Sequence, residues 1–337
     1  MTQAEPRKSV PRALVWLAGV VLLLACSVFA MGIGPMALSP AQVVAALGSP
    51  AGDAASSVVW SIRLPRVLLG VLVGGGLAIA GAALQGLFRN PLADPGLIGV
   101  SSGAALGATA GILLGTFAWA VPGAAFLGGL AATLAVLAIG RRQGRVNVAA
   151  MLLSGIAINS VCGALVGLLI FTADDRELRT VTFWTMGSLG HATWPMLTLA
   201  APLILLSVAG LLFQSKALNA LLLGDASARH LGVPVERVSR IVVLLASACV
   251  GAAVAASGII GFVGLVVPHL IRLTFGPDHR HVLPLSVLLG GSLLVLADAL
   301  ARIVVAPAEL PLGILTAVIG TPVFILLLIR GRQKYGF

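Results

Sequence analysis

The stretch VLLGVLVGGGLAIAGAALQGLF, Val67–Phe88, decides the class of fold. It contains no ionisable side chain, and a hydrocarbon core of about 30 Å takes roughly 20 apolar residues to cross as a helix. Comparable stretches fill the chain on both sides of it. They are Ala13–Gly34, Gly96–Thr116, Trp119–Gly140, Val148–Phe171, Pro195–Phe213, Ile241–Ala256, Ile259–Phe275, Leu283–Val305 and Leu312–Ile329. The Arg7–Arg12 stretch and the apolar run after it resemble a signal peptide, but that run continues through Met31 and reads as the first span. Composition agrees: 59% of residues are hydrophobic, 9% are charged and the mean hydropathy is +1.08. Soluble domains lie far from these values. The expected fold is all-α, a single polytopic domain over residues 1–337 with about ten transmembrane helices in a lipid bilayer.

The net charge of +10 is distributed like that of a membrane protein. With the N-terminus inside, ten spans leave 16 of the 21 Lys and Arg residues on the inner side and five on the outer, namely Arg63, Arg66, Arg176, Arg179 and Arg302. That is the positive-inside bias, and it places both termini in the cytoplasm. A nucleic-acid role would need the basic residues gathered on one solvated module, which the chain lacks. Cys26, Cys162 and Cys249 lie in apolar spans without metal-ligand or disulfide spacing, and read as small hydrophobes.

Glycines cluster inside the spans. Gly99, Gly103, Gly107, Gly111 and Gly115 recur every four residues, which predicts a flat packing stripe along the third span. Ser39-Pro40 at the head of an apolar stripe predicts a short outer surface helix. Asp174–Gly190 is too polar at its start to cross. Asn90–Gly96, with two prolines, breaks the chain at the inner face. The longest inner loop is Asn219–Arg240. There Asp225 is expected to cap a short helix and pair with Arg229, Gly232 to end it, and Pro234 to open a second short helix carrying Glu236 and Arg237. Two short amphipathic helices on that face suit the docking of a soluble partner.

Several chemistries are excluded or unsupported. No Gly-Lys dipeptide occurs, so the chain has no P-loop for ATP. Ser154 has no positioned His, and His269, His279 and His281 have no ligand-like spacing, so no catalytic residue, cofactor or metal ligand is assigned. The centres of the spans lack the acids that an ion-coupled carrier places near the midplane, which points to an external source of energy.

Several runs together resemble the FecCD-type permeases of bacterial ABC importers. They are Arg63-Leu64-Pro65-Arg66, Gly81 with Gln85, Arg89–Pro95, Leu223-Gly224-Asp225-Ala226-Ser227-Ala228-Arg229-His230-Leu231-Gly232, Gly261–His269, Asp278-His279-Arg280, Asp298 with Arg302, and Glu309–Gly313. Phe183–Leu189 is most similar to the haem permeases. The resemblance implies a BtuC-like homodimer in the bacterial inner membrane, with the path along the dimer axis. It also implies two cytoplasmic ATPases holding ATP and Mg, and a periplasmic substrate-binding protein. The cargo would be haem, or alternatively a ferric siderophore or cobalamin. Leu223–Gly232 would couple to the ATPase. Arg63, Arg66 and Arg302 would form an outer basic pocket for the binding protein's acidic residues. Asn159, Ser160, Asp174, Asp175 and Arg176 would line or gate the path.

Overall fold

The computed structural model describes residues 12–50, 53–115, 119–142 and 145–335, and these are helical apart from turns and a two-residue hairpin pair, β1 (Arg141–Arg142) with β2 (Arg145–Val146). The helices are α1 (Arg12–Gly32), α2 (Pro40–Gly48), α3 (Ala54–Val58), α4 (Leu64–Phe88), α5 (Val100–Leu113), α6 (Ala120–Ile139), α7 (Val148–Thr172), α8 (Asp175–Met186), α9 (Trp194–Phe213), α10 (Ser215–Leu221), α11 (Asp225–His230), α12 (Val235–Ser257), α13 (Val263–Phe275), α14 (His279–Ala301) and α15 (Leu312–Tyr335). Among the described residues seven helical segments are long and apolar enough to span a membrane, and α5, α13 and the start of α15 are shorter apolar helices. Seven and three together match the ten expected spans. One end of the bundle carries α2 and is called the α2 end; the other carries α10 and α11 and is called the α11 end.

The deciding stretch is the centre of the molecule. A π-helical turn, Val59–Arg63, joins α3 to α4, and α4 is buried on almost every side. A helix that is apolar all round belongs in a core. Its glycines let neighbouring backbones approach. A Cβ on Gly74 would strike the Gly290 carbonyl of α14, one on Gly290 would strike that of Gly74, and one on Gly81 would strike that of Gly264 in α13. In lipid, where no hydrophobic force drives helices together, such contact supplies the attraction.

Two expected spans are not continuous helices. Before α5, Asp94 caps a 3-10 turn, Pro95–Ile98, and Gly99 turns left-handed at φ 82°. The 14 residues of α5 then cover only about 21 Å. Before α13, residues 258–262 are irregular and Phe262 has φ 67°. Irregular backbone at membrane depth survives only where protein covers it. Here the cover is close: Gly155 of α7 packs on the Leu97 carbonyl, and Gly187 on that of Ile259. The glycine stripe of α5 packs as expected against α6, Gly103 on Gly128 and Gly107 on Ala124, but Gly99 and Gly115 are turn residues with positive φ at its ends. The ninth span also shifts. It runs from His279 to Ala301 because the Asp278 side chain caps it, accepting from the Arg280 amide.

The surface helix expected after Ser39 forms as read, and the segment from Asp174 that was expected not to cross forms a helix of its own. Ser39 and Gln42 make a reciprocal capping box at α2, and Asp174 and Glu177 make one at α8.

Candidate functional site

At the α11 end the expected loop becomes two short helices, placed one element earlier than predicted. Leu218 and Leu221 of α10 and Ala228 of α11 are buried against the bundle. Gly224 precedes α11 at φ 95°, a conformation that favours glycine, so Asp225 is the first helical residue and not the cap. The expected Asp225–Arg229 pair is absent. Asp225 Oδ1 lies 3.0 Å from Arg89 Nη2, which ties α11 to the end of α4, and Arg229 Nη2 lies 2.8 Å from Glu236 Oε1. Gly232 ends the helix as expected. Its amide donates to the Arg229 carbonyl and the Val233 amide to that of Ala228, a Schellman motif. The second short helix expected after Pro234 is the first turn of α12, because the apolar pattern through Val235, Val238 and Val242 continues without a break. Leu223, Ala226, Ser227, His230 and Leu231 face outward, with Leu223 and Leu231 each more than 60% exposed.

Behind this face lie contacts that sequence reasoning missed. Asn219 of α10 accepts from the His279 amide (2.8 Å) and lies 2.9 Å from His279 Nδ1, while its Nδ2 donates to Asp278 Oδ1 at 2.6 Å. His279 is fully buried, and a Cβ on Gly86 of α4 would strike its ring. Burial alone would raise the Asp278 pKa, but hydrogen bonds from the Arg280 amide and Asn219 hold it below the usual carboxylate value. Arg272 of α13 donates to Gln85 Oε1 and to the Ala82 carbonyl, both on α4. The Asn219 pairing spans 59 and 60 residues, so no local pattern announces it.

At the α2 end the three arginines of the expected docking pocket come together, but they point inward. Arg66 grips Asp298 through Nε and Nη2 at 2.9–3.1 Å and Glu309 through Nη1 and Nη2 at 2.9 Å. Arg302 sits 3.3 Å from Asp298, the i,i+4 pair expected from sequence, and donates to the carbonyls of Ile33 and Ala30. Arg63 donates to the carbonyls of Met31 and Met36. Arg63 and Arg66 are buried, and the Arg302 side chain is 8% exposed. A docking pocket needs donors facing a partner; these guanidiniums are instead used to fasten α1, α4, α14 and the segment before α15. Glu309 is the accessible member, with its side chain 44% exposed, and hydrogen bonds from Arg66 lower its pKa. Beside the knot, Trp194 stacks on Trp60 with ring centroids 6.3 Å apart.

Two of the expected path residues, Asn159 and Ser160, lie on the least buried of the seven long spans. In α7 only 17% of the apolar window is buried, against 83% for the segment containing α4. Asn159 is not free: its Oδ1 accepts from Ser102 (2.5 Å) and its Nδ2 donates to the Gly96 carbonyl (3.2 Å), clasping α7 to the break before α5. Ser160 is exposed and bonds back to Ile156. Asp174 caps α8, and Asp175 and Arg176 are exposed on its first turn. Among the described residues no three His, Cys, Asp or Glu side chains gather as a metal site requires.

A bundle of ten apolar helices, with its polar groups fastened at both ends and a helical platform at one of them, has the architecture of a transport permease. The FecCD transport family matches residues 22–330, and the chain belongs to that family: it is an ABC importer permease of the FecCD/BtuC type. It is 46% identical to the hemin transport system permease protein HmuU of Yersinia pestis over 93% of this chain and 95% of that one. It is 40% identical to the vitamin B12 import system permease protein BtuC of Citrobacter koseri over 94% and 95%. A solved ABC transporter structure, described as an inward-facing conformation of the metal-chelate type, superposes with a TM-score of 0.86 at 34% identity, covering 94% of this chain and 99% of that one.

Proposed function

We propose that this chain is the permease of a haem importer. Two copies would assemble in the bacterial inner membrane with both termini in the cytoplasm, and cargo would pass along the dimer axis by alternating access. The α11 end faces the cytoplasm in this reading. The observation that carries the coupling is the α10–α11 platform: it is folded against the bundle yet presents Leu223, Ala226, Ser227, His230 and Leu231 to solvent. Exposed leucines held on a well-anchored element suit a protein interface. Two ATPases seated there hold the ATP and Mg that the chain itself has no motif for. Haem is favoured over a siderophore or cobalamin by the similarity to the hemin permease over nearly the full length.

The binding protein docks at the α2 end. There its carboxylates compete with Glu309 for Arg66, the member of the knot nearest the surface through that half-exposed partner. Reversing the charge of Arg63 and Arg66 would break the fold before it reported on docking, so Glu309→Gln is the better probe. Asn159, Ser160, Asp174, Asp175 and Arg176 border the path.

Proteoliposomes containing the permease, its ATPase and its binding protein should accumulate haem with ATP and not without it. Equal uptake in both conditions refutes the coupled importer. Uptake of cobalamin in preference to haem refutes the choice of cargo and leaves the machinery standing.

A further inference from the structure

The platform is attached to a particular part of the bundle. Asp225 of α11 holds Arg89 at the end of α4, and Asn219 of α10 holds Asp278 and His279 at the start of α14. The His279 ring is wedged against Gly86 in the last turn of α4, and Gln85, the residue before it, receives Arg272 of α13. At the far end α4 and α14 are joined again by Arg66 and Asp298, and between the two ends they touch backbone to backbone at Gly74 and Gly290. The pair is therefore crosslinked at its top, middle and bottom. In contrast, among the described residues α7 is tied to other elements by side-chain hydrogen bonds of Asn159 alone.

Given the proposed coupling to an ATPase, we propose that Asn219 is the positioning residue through which movement of the platform reaches the α4–α14 pair. Its side chain does three things at once. Its Oδ1 takes the amide of His279, one of the donors that the start of α14 leaves without an intrahelical partner. The same oxygen takes the Nδ1 proton of His279, fixing the tautomer and the ring that bears on Gly86. Its Nδ2 binds Asp278, the cap of α14. Among the described residues no other polar side-chain contact joins α10 to the head of α14. A push on α10 therefore reaches the head of α14 through this clasp, alongside the Asp225–Arg89 pair that ties α11 to α4. Without the clasp, the head of α14 keeps only apolar packing against α10 and follows the platform less closely.

The test uses the full transporter in proteoliposomes, with the haem-loaded binding protein as probe, and compares haem uptake with ATP hydrolysed. Asn219→Asp puts a second carboxylate against Asp278 and removes the amide donor between them. It should retain the ATPase on purification and hydrolyse ATP within about twofold of wild type, yet move at least fivefold less haem per ATP. Adding Asp278→Asn in the same chain removes the facing charge and supplies a new donor, and should bring the ratio back within about twofold. A wild-type ratio in Asn219→Asp overturns the proposal, as does a double variant no better than the single. Loss of the ATPase from Asn219→Asp also overturns it, because the residue would then be holding the platform's shape rather than passing on its movement. The underlying coupling fails differently: in that case Leu223→Asp, on the outward face, leaves both ATPase retention and uptake unchanged.

Discussion

Removing the Asp298 carboxylate should be among the most damaging single changes in the protein. The knot at the α2 end contains three guanidiniums and two carboxylates, and Asp298 serves both Arg66 and Arg302. Its own side chain is 3% exposed and that of Arg66 is 10% exposed, so water cannot take its place. Asp298→Ala leaves three buried or half-buried cations facing one carboxylate. Breaking a buried ion pair from one side costs about 3–5 kcal/mol, because the surviving charge keeps its desolvation penalty without its partner. Hydrogen bonds to charged groups, worth about 1.5–3 kcal/mol each, give a sum of the same order when the loss is shared between Arg66 and Arg302. The measurement is the unfolding midpoint in mild detergent titrated with SDS.

The same reasoning predicts that a double change is milder than the single one. Arg66→Met with Asp298→Leu leaves two guanidiniums and one carboxylate, which restores the excess of one positive charge found in the native knot. Replacing both members of a buried pair by apolar residues of similar size is often neutral or better. The double variant should recover at least half of the stability lost in Asp298→Ala. A single variant losing less than about 1 kcal/mol, or a double variant less stable than the single, refutes this account of the knot as a charge-balanced fastening.

Two further expectations come from other contacts. Gly81→Val must push α4 away from the Gly264 carbonyl and should destabilise by about 1–3 kcal/mol; Gly123→Ala, where a Cβ meets nothing within 4 Å, should be neutral or gain about 0.5–1 kcal/mol in the same SDS titration. Glu309, held below its ordinary value of 4.5 by Arg66, contributes stability that is present above pH 4.5 and is lost as pH falls through its lower folded value. Because the group is nearly half exposed, the effect should stay under about 1 kcal/mol. Thermal melts should be flat from about pH 8 to 5 and fall below that, with a smaller fall in Glu309→Gln.

The long elements were legible because a bilayer imposes a coarse rule: an apolar run of sufficient length becomes a helix, whatever its neighbours are. The cap at Ser39 and the stop at Gly232 were equally readable, since each satisfies backbone groups within a few residues; the capping box at Asp174 has the same local form but was not read. What could not be read was partnership between distant segments. Arg66 finds Asp298 across 232 residues and Glu309 across 243, and sequence alone assigned all three arginines to a docking pocket. The Asp225–Arg229 spacing was a fair local guess that lost to a tertiary partner, Arg89. The break before α5 was legible as far as Gly96, from its two prolines, but its continuation to Gly99 and the irregular stretch 258–262 were not, because Leu97, Ile98, Ile259 and Ile260 are as apolar as any span. Only the contacts covering their backbone explain how they exist at that depth.

The poorly buried face of α7 calls for a partner, and it supplies a test of the proposed dimer. Leu165, Leu168 and Phe171 stand exposed there, and Cβ atoms built on Gly163 and Gly167 meet nothing. The face is also flat, because small residues at 160, 163, 164 and 167 lie along it, and a flat face suits close approach of a second helix. Exposure alone does not separate this surface from one that meets lipid: Leu206 of α9 is exposed to a similar degree. The separation must therefore come from geometry. A disulfide forms only when Cα atoms come within about 7 Å, which near a twofold axis happens for few positions and on a lipid-facing surface for none. In a background with Cys26, Cys162 and Cys249 changed to Ala, single cysteines at Ala164, Gly167 and Phe171 should include at least one that oxidises mostly to a covalent dimer in membranes. Leu206→Cys should remain monomeric under the same oxidation. The opposite pattern, with Leu206→Cys crosslinked and all three α7 positions monomeric, would move the dimer contact to α9 and leave α7 facing lipid. The path would then have no reason to run past Asn159.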